Sequence, residues 1–174
     1  MKIFIGFSSP KSPWKLFANS IKLIEKRPYD HVYVRFPEPL YKKYMIFQAS
    51  GTMVNMISPE IFLKVNFTIK EYEIEINEEQ YGELWSFILT HLGIPYSLKQ
   101  ILGVLLMKIF HIKQPFTELD GEICSKLGSQ ICELLNIQIK EDLNSITPSD
   151  LDEILSNQQL KIINSPNILE DYNG

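Results

Sequence analysis

The alternation of apolar and polar residues along the chain predicts a series of β-strands. Residues 29–36 (YDHVYVRF) alternate strictly, whereas residues 2–7 (KIFIGF) are short and mostly apolar. Residues 44–58 form a predicted hairpin with Gly51 at its turn, and residues 69–77 (IKEYEIEIN) alternate again. In the strand of residues 29–36, one face carries Val32, Val34 and Phe36, and the other carries Tyr29, His31, Tyr33 and Arg35.

Capping residues predict where the helices begin. A serine, threonine or asparagine starts a helix when proline follows it directly, or when glutamine follows three residues later. The first helix is expected to end near Lys26, the fourth to cover residues 98–112, and a final strand to precede a loose end from about residue 165. The predicted starts are Ser12–Pro13, Ser58–Pro59, Asn77 with Gln80, Ser97 with Gln100, and Thr147–Pro148.

One more helix is predicted to begin at Cys124. Leu127, Ile131 and Leu135 follow it three, seven and eleven residues later, which places the four side chains on one inward stripe. Gly128 lies one turn beyond the cysteine and would allow a neighbouring element to approach closely. Strands mixed with helices in this order predict an α+β fold, with the Cys124 thiol turned towards the protein body.

Length, charge and hydropathy limit the possible functions. A chain of 174 residues, 45% of them hydrophobic, has the size of one domain with a core, so residues 1–174 are predicted to form a single domain. The net charge of −4 and the two arginines offer no clustered cations, so no nucleic-acid partner is predicted. The most apolar stretch, residues 101–112, is shorter than the roughly 20 residues of a membrane-spanning helix, so no transmembrane segment is predicted.

The N-terminal residues and the two cysteines indicate the compartment. MKIFIGFSS has a single lysine and too short an apolar run for a signal peptide, which predicts a cytoplasmic protein. Cys124 and Cys132 would lie about 12 Å apart on one helix, too far for a disulfide bond. Neither has a second cysteine or histidine at the spacing of zinc ligands, so free thiols without a metal or a cofactor are predicted.

Cys124 is the first candidate for chemistry. A lone cysteine on an apolar stripe is usually a core residue, but the N–H groups at a helix start favour the thiolate, which is the nucleophile. The anions of Asp120 and Glu122 would oppose this effect. His31, on the polar face of its strand, is the candidate base, whereas the other two histidines lie at predicted helix ends and are expected to be structural or exposed.

The order of these residues resembles that of the permuted papain-like cysteine hydrolases related to the NlpC peptidases, in particular the YiiX-like group. In this group the histidine precedes the cysteine along the chain. The matching segments, in order over nearly the whole chain, are IGFSSPK, YDHVYV, FQASGTMVNMIS, LGIPYS, ICSKL and ITPSDL. The resemblance implies a permuted papain-like fold, in which a central antiparallel sheet or partial barrel packs against helices that include the cysteine helix.

The resemblance also implies roles for individual residues. Cys124 is the implied nucleophile, His31 the implied base, and Gln48, on the next strand, the implied orienting residue. Members of the group often carry glutamate at the third position; glutamine can hold the imidazole by a hydrogen bond but supplies no charge. Cys124 would attack an amide, ester or thioester carbonyl to form an acyl-enzyme. Its own N–H is the expected oxyanion donor, with Tyr29 and Tyr96 as further candidates.

Three functions are compatible with this chemistry. The leading expectation is an amidase or peptidase that cleaves a peptide or isopeptide bond, either in a bacterial cytoplasm or, for a bacteriophage protein, in the host cytoplasm or on the virion. The second is a lipid acyl hydrolase or acyltransferase, as in related enzymes of the lecithin–retinol type. Burial of Leu105, Leu106 and Ile109 by protein would argue against this function, because no apolar groove would then be open to an acyl chain. The third is a structural or binding protein, expected if the Cys124 thiol and the His31 ring lie on different faces.

Overall fold

The computed structural model describes residues 1–12, 22–113, 115–116 and 121–169, and within them the fold is α+β. Six strands form one open sheet in the order β4-β3-β2-β1-β5-β6, and all paired neighbours are antiparallel. The sheet is therefore not closed into a partial barrel. The strands are β1 Lys2–Pro10, β2 His31–Glu38, β3 Lys43–Ser50, β4 Met53–Ile57, β5 Asn66–Glu75 and β6 Lys161–Asn164.

The helices begin at the predicted capping residues. The side chains of the four predicted caps from Ser58 onwards each accept the backbone N–H of the residue three positions later, which confirms these starts. Residues 22–25 are helical, and the predicted start at Ser12–Pro13 runs into residues 13–21, which lie outside the described residues. The helices with described bounds are α1 Pro59–Val65, α2 Glu78–His91, α3 Leu98–Phe110, α4 Cys124–Leu134 and α5 Pro148–Ser156.

The main hydrophobic core lies between the sheet and the helices α2, α4 and α5. Val32, Val34 and Phe36 of β2 face this core, as their alternation predicts. A Cβ on Gly128 of α4 would lie 2.8 Å from Val32 Cγ1, so the glycine permits the predicted close approach of helix and strand. This close approach places the N-terminal half of α4 against the start of β2.

The opposite face of the sheet carries a smaller core and a buried polar network. Tyr33 packs with Phe62 of α1, and its hydroxyl donates to Glu71 at 3.0 Å. Arg35 donates two hydrogen bonds to the same carboxylate, at 2.9 and 2.6 Å. Tyr33 lies over β1 at Gly6, where any Cβ would overlap its ring. A glycine at this central strand position therefore makes room for the buried tyrosine.

Two expectations from the sequence are wrong. Tyr29 does not share the His31 face, because β2 begins only at His31; Tyr29 packs in the main core, with its ring centroid 5.0 Å from that of Phe7. Residues 165–169 are not a loose end, since Ser165 donates its N–H to Ile69 and Ile168 is buried. Residues 170–174 lie outside the described residues.

Among the helices of the described residues, none is both long enough and apolar enough to cross a membrane. The most apolar of them, α3, ends at Phe110, where His111 adopts a left-handed backbone with φ of 53°. The helix is therefore two residues shorter than the sequence predicts.

Candidate active site

The candidate site lies at one end of the paired register of β2 and β3. This register runs from Val34↔Phe47 to Glu38↔Lys43, and His31 and Gln48 lie beyond its Val34 end. There His31 Nε2 and Gln48 Oε1 are 2.7 Å apart. The two residues that the resemblance links are therefore hydrogen-bonded to each other.

The orientation of the Gln48 amide is fixed by Asn55, its cross-strand partner on β4. Asn55 Nδ2 donates to the carbonyl oxygens of Ser50 and Met53, at 3.3 and 3.1 Å. Carbonyl oxygens only accept, so the Asn55 amide nitrogen must face them and its Oδ1 must face Gln48. Gln48 Nε2 donates to this Oδ1 at 3.2 Å, which leaves Gln48 Oε1 facing the imidazole.

This chain of hydrogen bonds determines the tautomer of His31. Because Gln48 Oε1 only accepts, His31 Nε2 must carry a proton. In the neutral imidazole the lone pair then lies on Nδ1, which is the nitrogen able to take a proton. The same chain explains why residue 48 is a glutamine: a glutamate would offer Asn55 Oδ1 no donor, whereas the amide serves both neighbours.

Cys124 is the first residue of α4, and its thiol is buried beside the start of β2. Burial is the main cause that raises the pKa of Cys124 to about 11, and the nearby Asp30 carboxylate raises it further. Backbone N–H groups of Val32 and Ser125 act in the opposite direction. The expected low pKa is therefore wrong for the resting protein, in which the thiol is neutral at pH 7.

Asp120 and Glu122 were expected from the sequence to oppose ionisation of the Cys124 thiol. Glu122 pairs with Lys126 at 3.2 Å, so its charge is partly compensated. Asp120 lies outside the described residues. The anion that does act on the thiol is Asp30, which the sequence analysis did not select.

The thiol and the imidazole pack on different sides of β2. Cys124 belongs to the main core on the α4 face, whereas the His31 ring stacks over Phe62 of the opposite core with centroids 6.3 Å apart. The backbone of Val32 links the two, because its N–H acts to lower the pKa of the Cys124 thiol and Val32 follows His31 directly in the chain. Cys124 and His31 are thus brought to the same strand start.

Tyr96 lies next to Cys124 because two loops are joined by backbone hydrogen bonds. Glu122 donates to the Pro95 carbonyl at 2.9 Å, and Ser97 donates to the Glu122 carbonyl at 3.0 Å. Gly121 has a φ of 107°, and a Cβ there would collide with the Pro95 carbonyl oxygen. Burial is the main cause that raises the pKa of Tyr96 well above its ordinary value, and the charges of Cys124 and Asp30 add to it. Its hydroxyl therefore remains a donor.

The structure places Tyr29 away from the thiol. Its hydroxyl donates to Asp152 of α5, a carboxylate that also accepts from Tyr72 at 2.6 Å and pairs with Lys70. Tyr29 therefore connects the entry of β2 to α5, and it is not brought to Cys124 as an oxyanion donor.

A pocket of about 420 Å³ of empty space, part of it open to solvent, reaches the Cys124 thiol. Its lining is mostly apolar and includes Tyr96 and one side of α3. Leu105 and Leu106 are half-buried, and 52% of Ile109 is exposed, so the burial that would argue against a lipid substrate is incomplete.

Asn55 and Asp30 are the site residues that the sequence analysis missed. Asn55 could have been found, because residues 48 and 55 are symmetric about the predicted turn at Gly51. In the part of the chain that the structure describes, no group of three or more histidine, cysteine or acidic side chains could hold a metal ion. Comparison with models of protein families gives no match to the chain, and comparison with curated proteins gives none either.

Proposed function

We propose that the protein is a cysteine hydrolase of the permuted papain-like type, which cleaves an amide or isopeptide bond through an acyl-enzyme. The observation that carries the proposal is the hydrogen-bond chain from Asn55 through Gln48 to His31, which leaves Nδ1 as the basic nitrogen. A chain that sets the tautomer of a histidine is typical of a general base, whose partner fixes the ring for proton transfer. The preference for peptide or isopeptide bonds rests on the resemblance to NlpC-related enzymes.

The resting thiol is neutral, so proton transfer is coupled to attack on the substrate. The His31 ring, which stacks over Phe62 on the other side of β2, must turn towards the sulfur for this step. His31 Nδ1 then takes the thiol proton as Cys124 Sγ bonds to the carbonyl carbon. The Cys124 N–H and the Tyr96 hydroxyl donate to the oxyanion. His31 then returns its proton to the leaving amine as the C–N bond breaks. In the second half, His31 takes a proton from water, the hydroxide attacks the acyl-enzyme, and the thiol leaves with that proton.

A second candidate is a binding protein that keeps the fold without catalysis. The observation that favours it is the buried thiol, whose pKa of about 11 gives almost no thiolate at pH 7. The His31 ring also packs on the other side of β2 from the thiol, which is the arrangement that the sequence analysis expected of a structural or binding protein. A third candidate, a lipid acyl hydrolase or acyltransferase, is favoured by the apolar pocket beside Cys124.

Acylation by p-nitrophenyl acetate, followed by intact-protein mass spectrometry, tests the catalytic proposal. In a Cys132→Ser background, an acetyl group is expected on Cys124, and His31→Ala is expected to slow its appearance by about 100-fold or more. His91→Ala is the matched control, because His91 stacks on Phe87 at the end of α2, away from the site. Equal acylation rates in the two histidine variants would leave Cys124 a core thiol and favour the binding protein.

A further inference from the structure

The pocket that reaches the Cys124 thiol also contains an acidic side chain. Glu25, in the helical stretch of residues 22–25, lines this pocket together with Cys124 and Tyr96. Much of the remaining lining is aliphatic and includes Ile101 and Val104 of α3. An apolar wall gives a carboxylate neither hydrogen bonds nor solvation, so the acidic group is costly there. Glu25 is therefore a candidate for binding a ligand.

Only one oxygen of the Glu25 carboxylate is hydrogen-bonded. Its Oε2 accepts the Ser149 N–H, at the start of α5, at 3.3 Å. Its Oε1 is buried and has no hydrogen-bond partner among the residues that the structure describes. The neighbouring Thr147 hydroxyl gives its single proton to Asp150 Oδ2, at 2.8 Å, and cannot serve Glu25 as well. The buried Oε1 is consequently an acceptor that lacks a donor.

The positive charges near Glu25 are used elsewhere. Lys108, which also lines the pocket, donates to both oxygens of Asp150, at 2.9 and 3.1 Å, so these two charges offset each other. Arg27 donates to the Ser149 hydroxyl at 3.3 Å and is exposed, so solvent screens its charge. Burial is the main cause that raises the pKa of Glu25. The Asp150 carboxylate adds to this rise, and Lys108 opposes it.

We propose that the pocket binds a primary ammonium group on a short aliphatic chain, and that Glu25 Oε1 accepts a hydrogen bond from this ammonium. The ammonium supplies both the missing donor and a positive charge, while the chain contacts the aliphatic wall. Such a group has two sources, a lysine side chain in a peptide or a free alkylamine. Binding does not require catalysis; only the role of the bound group as part of a substrate rests on the proposed function.

Protection of Cys124 from iodoacetamide tests the site, because Cys124 and Glu25 line one cavity. Labelling would be measured in a Cys132→Ser background at pH 9, below the pKa of about 10.4 of a lysine-type ammonium, relative to glutathione in the same solution. Butylamine and 1-butanol share a chain and differ in charge. Butylamine is expected to halve the labelling rate at a concentration about tenfold lower than 1-butanol, which is the effect of one charge-assisted hydrogen bond.

A third probe distinguishes the two sources of the ammonium. Nα-acetyl-lysine N-methylamide presents the same ammonium group on a peptide-like backbone. Protection of Cys124 by this probe as well as by butylamine indicates a lysine side chain, whereas protection by butylamine without it indicates a free alkylamine. Both results support the proposal.

Two variants make the test specific to Glu25. Glu25→Gln keeps the shape of the side chain and removes its charge, so it is expected to abolish the preference for butylamine over 1-butanol. Glu153→Gln is the matched control, because Glu153 is exposed on α5, outside the pocket lining, and the same charge is lost. This variant should keep the preference. Melting temperatures establish that both variants are folded.

The proposal is overturned if butylamine does not protect Cys124 of the parent protein, or protects it no better than 1-butanol. These two results need no variant. A preference that survives Glu25→Gln overturns it as well. Failure of the proposed function gives a different result, because His31→Ala would then acylate as fast as its His91→Ala control while the preference for butylamine remained.

Discussion

The tautomer of His31 is expected to depend on Asn55, a residue that does not touch the imidazole. Asn55→Ala removes the acceptor that holds Gln48 Nε2 and the donor that holds the two carbonyl groups. Gln48 is then free to turn its amide and to donate to His31 Nε2. The proton of the neutral ring would in that case reside on Nδ1, and the base would be lost.

The size of the effect follows from the hydrogen bonds. In the wild-type chain, the Nδ1–H tautomer requires both amides to turn, which breaks the bonds from Asn55 to Ser50 and Met53. At about 1 kcal/mol for each bond, the cost is about 2 kcal/mol, or roughly a 30-fold bias. About 97% of the neutral ring should therefore carry its proton on Nε2. In Asn55→Ala this bias disappears.

Nitrogen-15 NMR of the histidine ring at alkaline pH measures the two tautomers directly, because protonated and unprotonated ring nitrogens have well-separated shifts. Asn55→Asp is the matched variant. Its carboxylate still accepts from Gln48 but cannot donate to the two carbonyls, so we expect the Nε2–H tautomer to persist while the melting temperature falls. Asn55→Ala should show both tautomers with a smaller loss of stability.

Two results would refute this reasoning. A wild-type ring with its proton on Nδ1 would mean that Gln48 does not accept from His31. An Asn55→Ala ring that keeps the wild-type tautomer ratio would mean that Gln48 is held by other contacts, and that Asn55 has no positioning role.

Three further changes test other parts of the structure. Gly6→Ala should lower the free energy of unfolding in urea by about 3 kcal/mol, because the methyl overlaps the Tyr33 ring; a cost that persists in a Tyr33→Ala background would contradict this. Burial alone would raise the pKa of Asp152, but hydrogen bonds from a lysine and two tyrosines outweigh burial and lower that pKa. The ionised carboxylate therefore stabilises the folded protein above the ordinary pKa of 3.8, and this contribution to the free energy of unfolding is lost at lower pH. Unfolding between pH 7 and pH 3 should therefore depend more steeply on pH in the wild type than in Asp152→Asn, and parallel profiles would argue against it. Asp30→Asn should lower the pKa of Cys124 from about 11 and accelerate its labelling by iodoacetamide at pH 9. An unchanged rate would mean that the Asp30 charge does not act on the thiol.

The local elements of the fold were predictable from sequence because their signals are local. Capping residues interact with backbone only three positions away, and alternation reports which face of a strand is buried. Tyr29 shows the limit of alternation, because the pattern continues past the point where pairing with β1 begins. The buried Ile168 shows a second limit of sequence patterns. A polar segment can be held in place by one apolar residue that packs among residues distant in the chain.

For the site, sequence indicated the residue types but not their environment. The contact between His31 and Gln48 follows from adjacent strands, and Asn55 follows from the symmetry of the hairpin. The upward shift of the Cys124 pKa does not follow from the sequence, because it depends on how deeply α4 packs and on where the Asp30 carboxylate lies. The N–H groups of the helix start, considered alone, predicted a lowered pKa for Cys124.

The strands β1 to β5 lie within residues 2–75, whereas the cysteine helix begins only at Cys124. During synthesis, the sheet that carries His31 and Gln48 can therefore assemble long before the thiol leaves the ribosome. Docking of α4 onto Val32, through the gap left by Gly128, is then the event that both completes the site and hides the thiol. Chemical protection of Cys124 should consequently report the docking of α4, and a chain in which Cys124 stays reactive has not assembled the site.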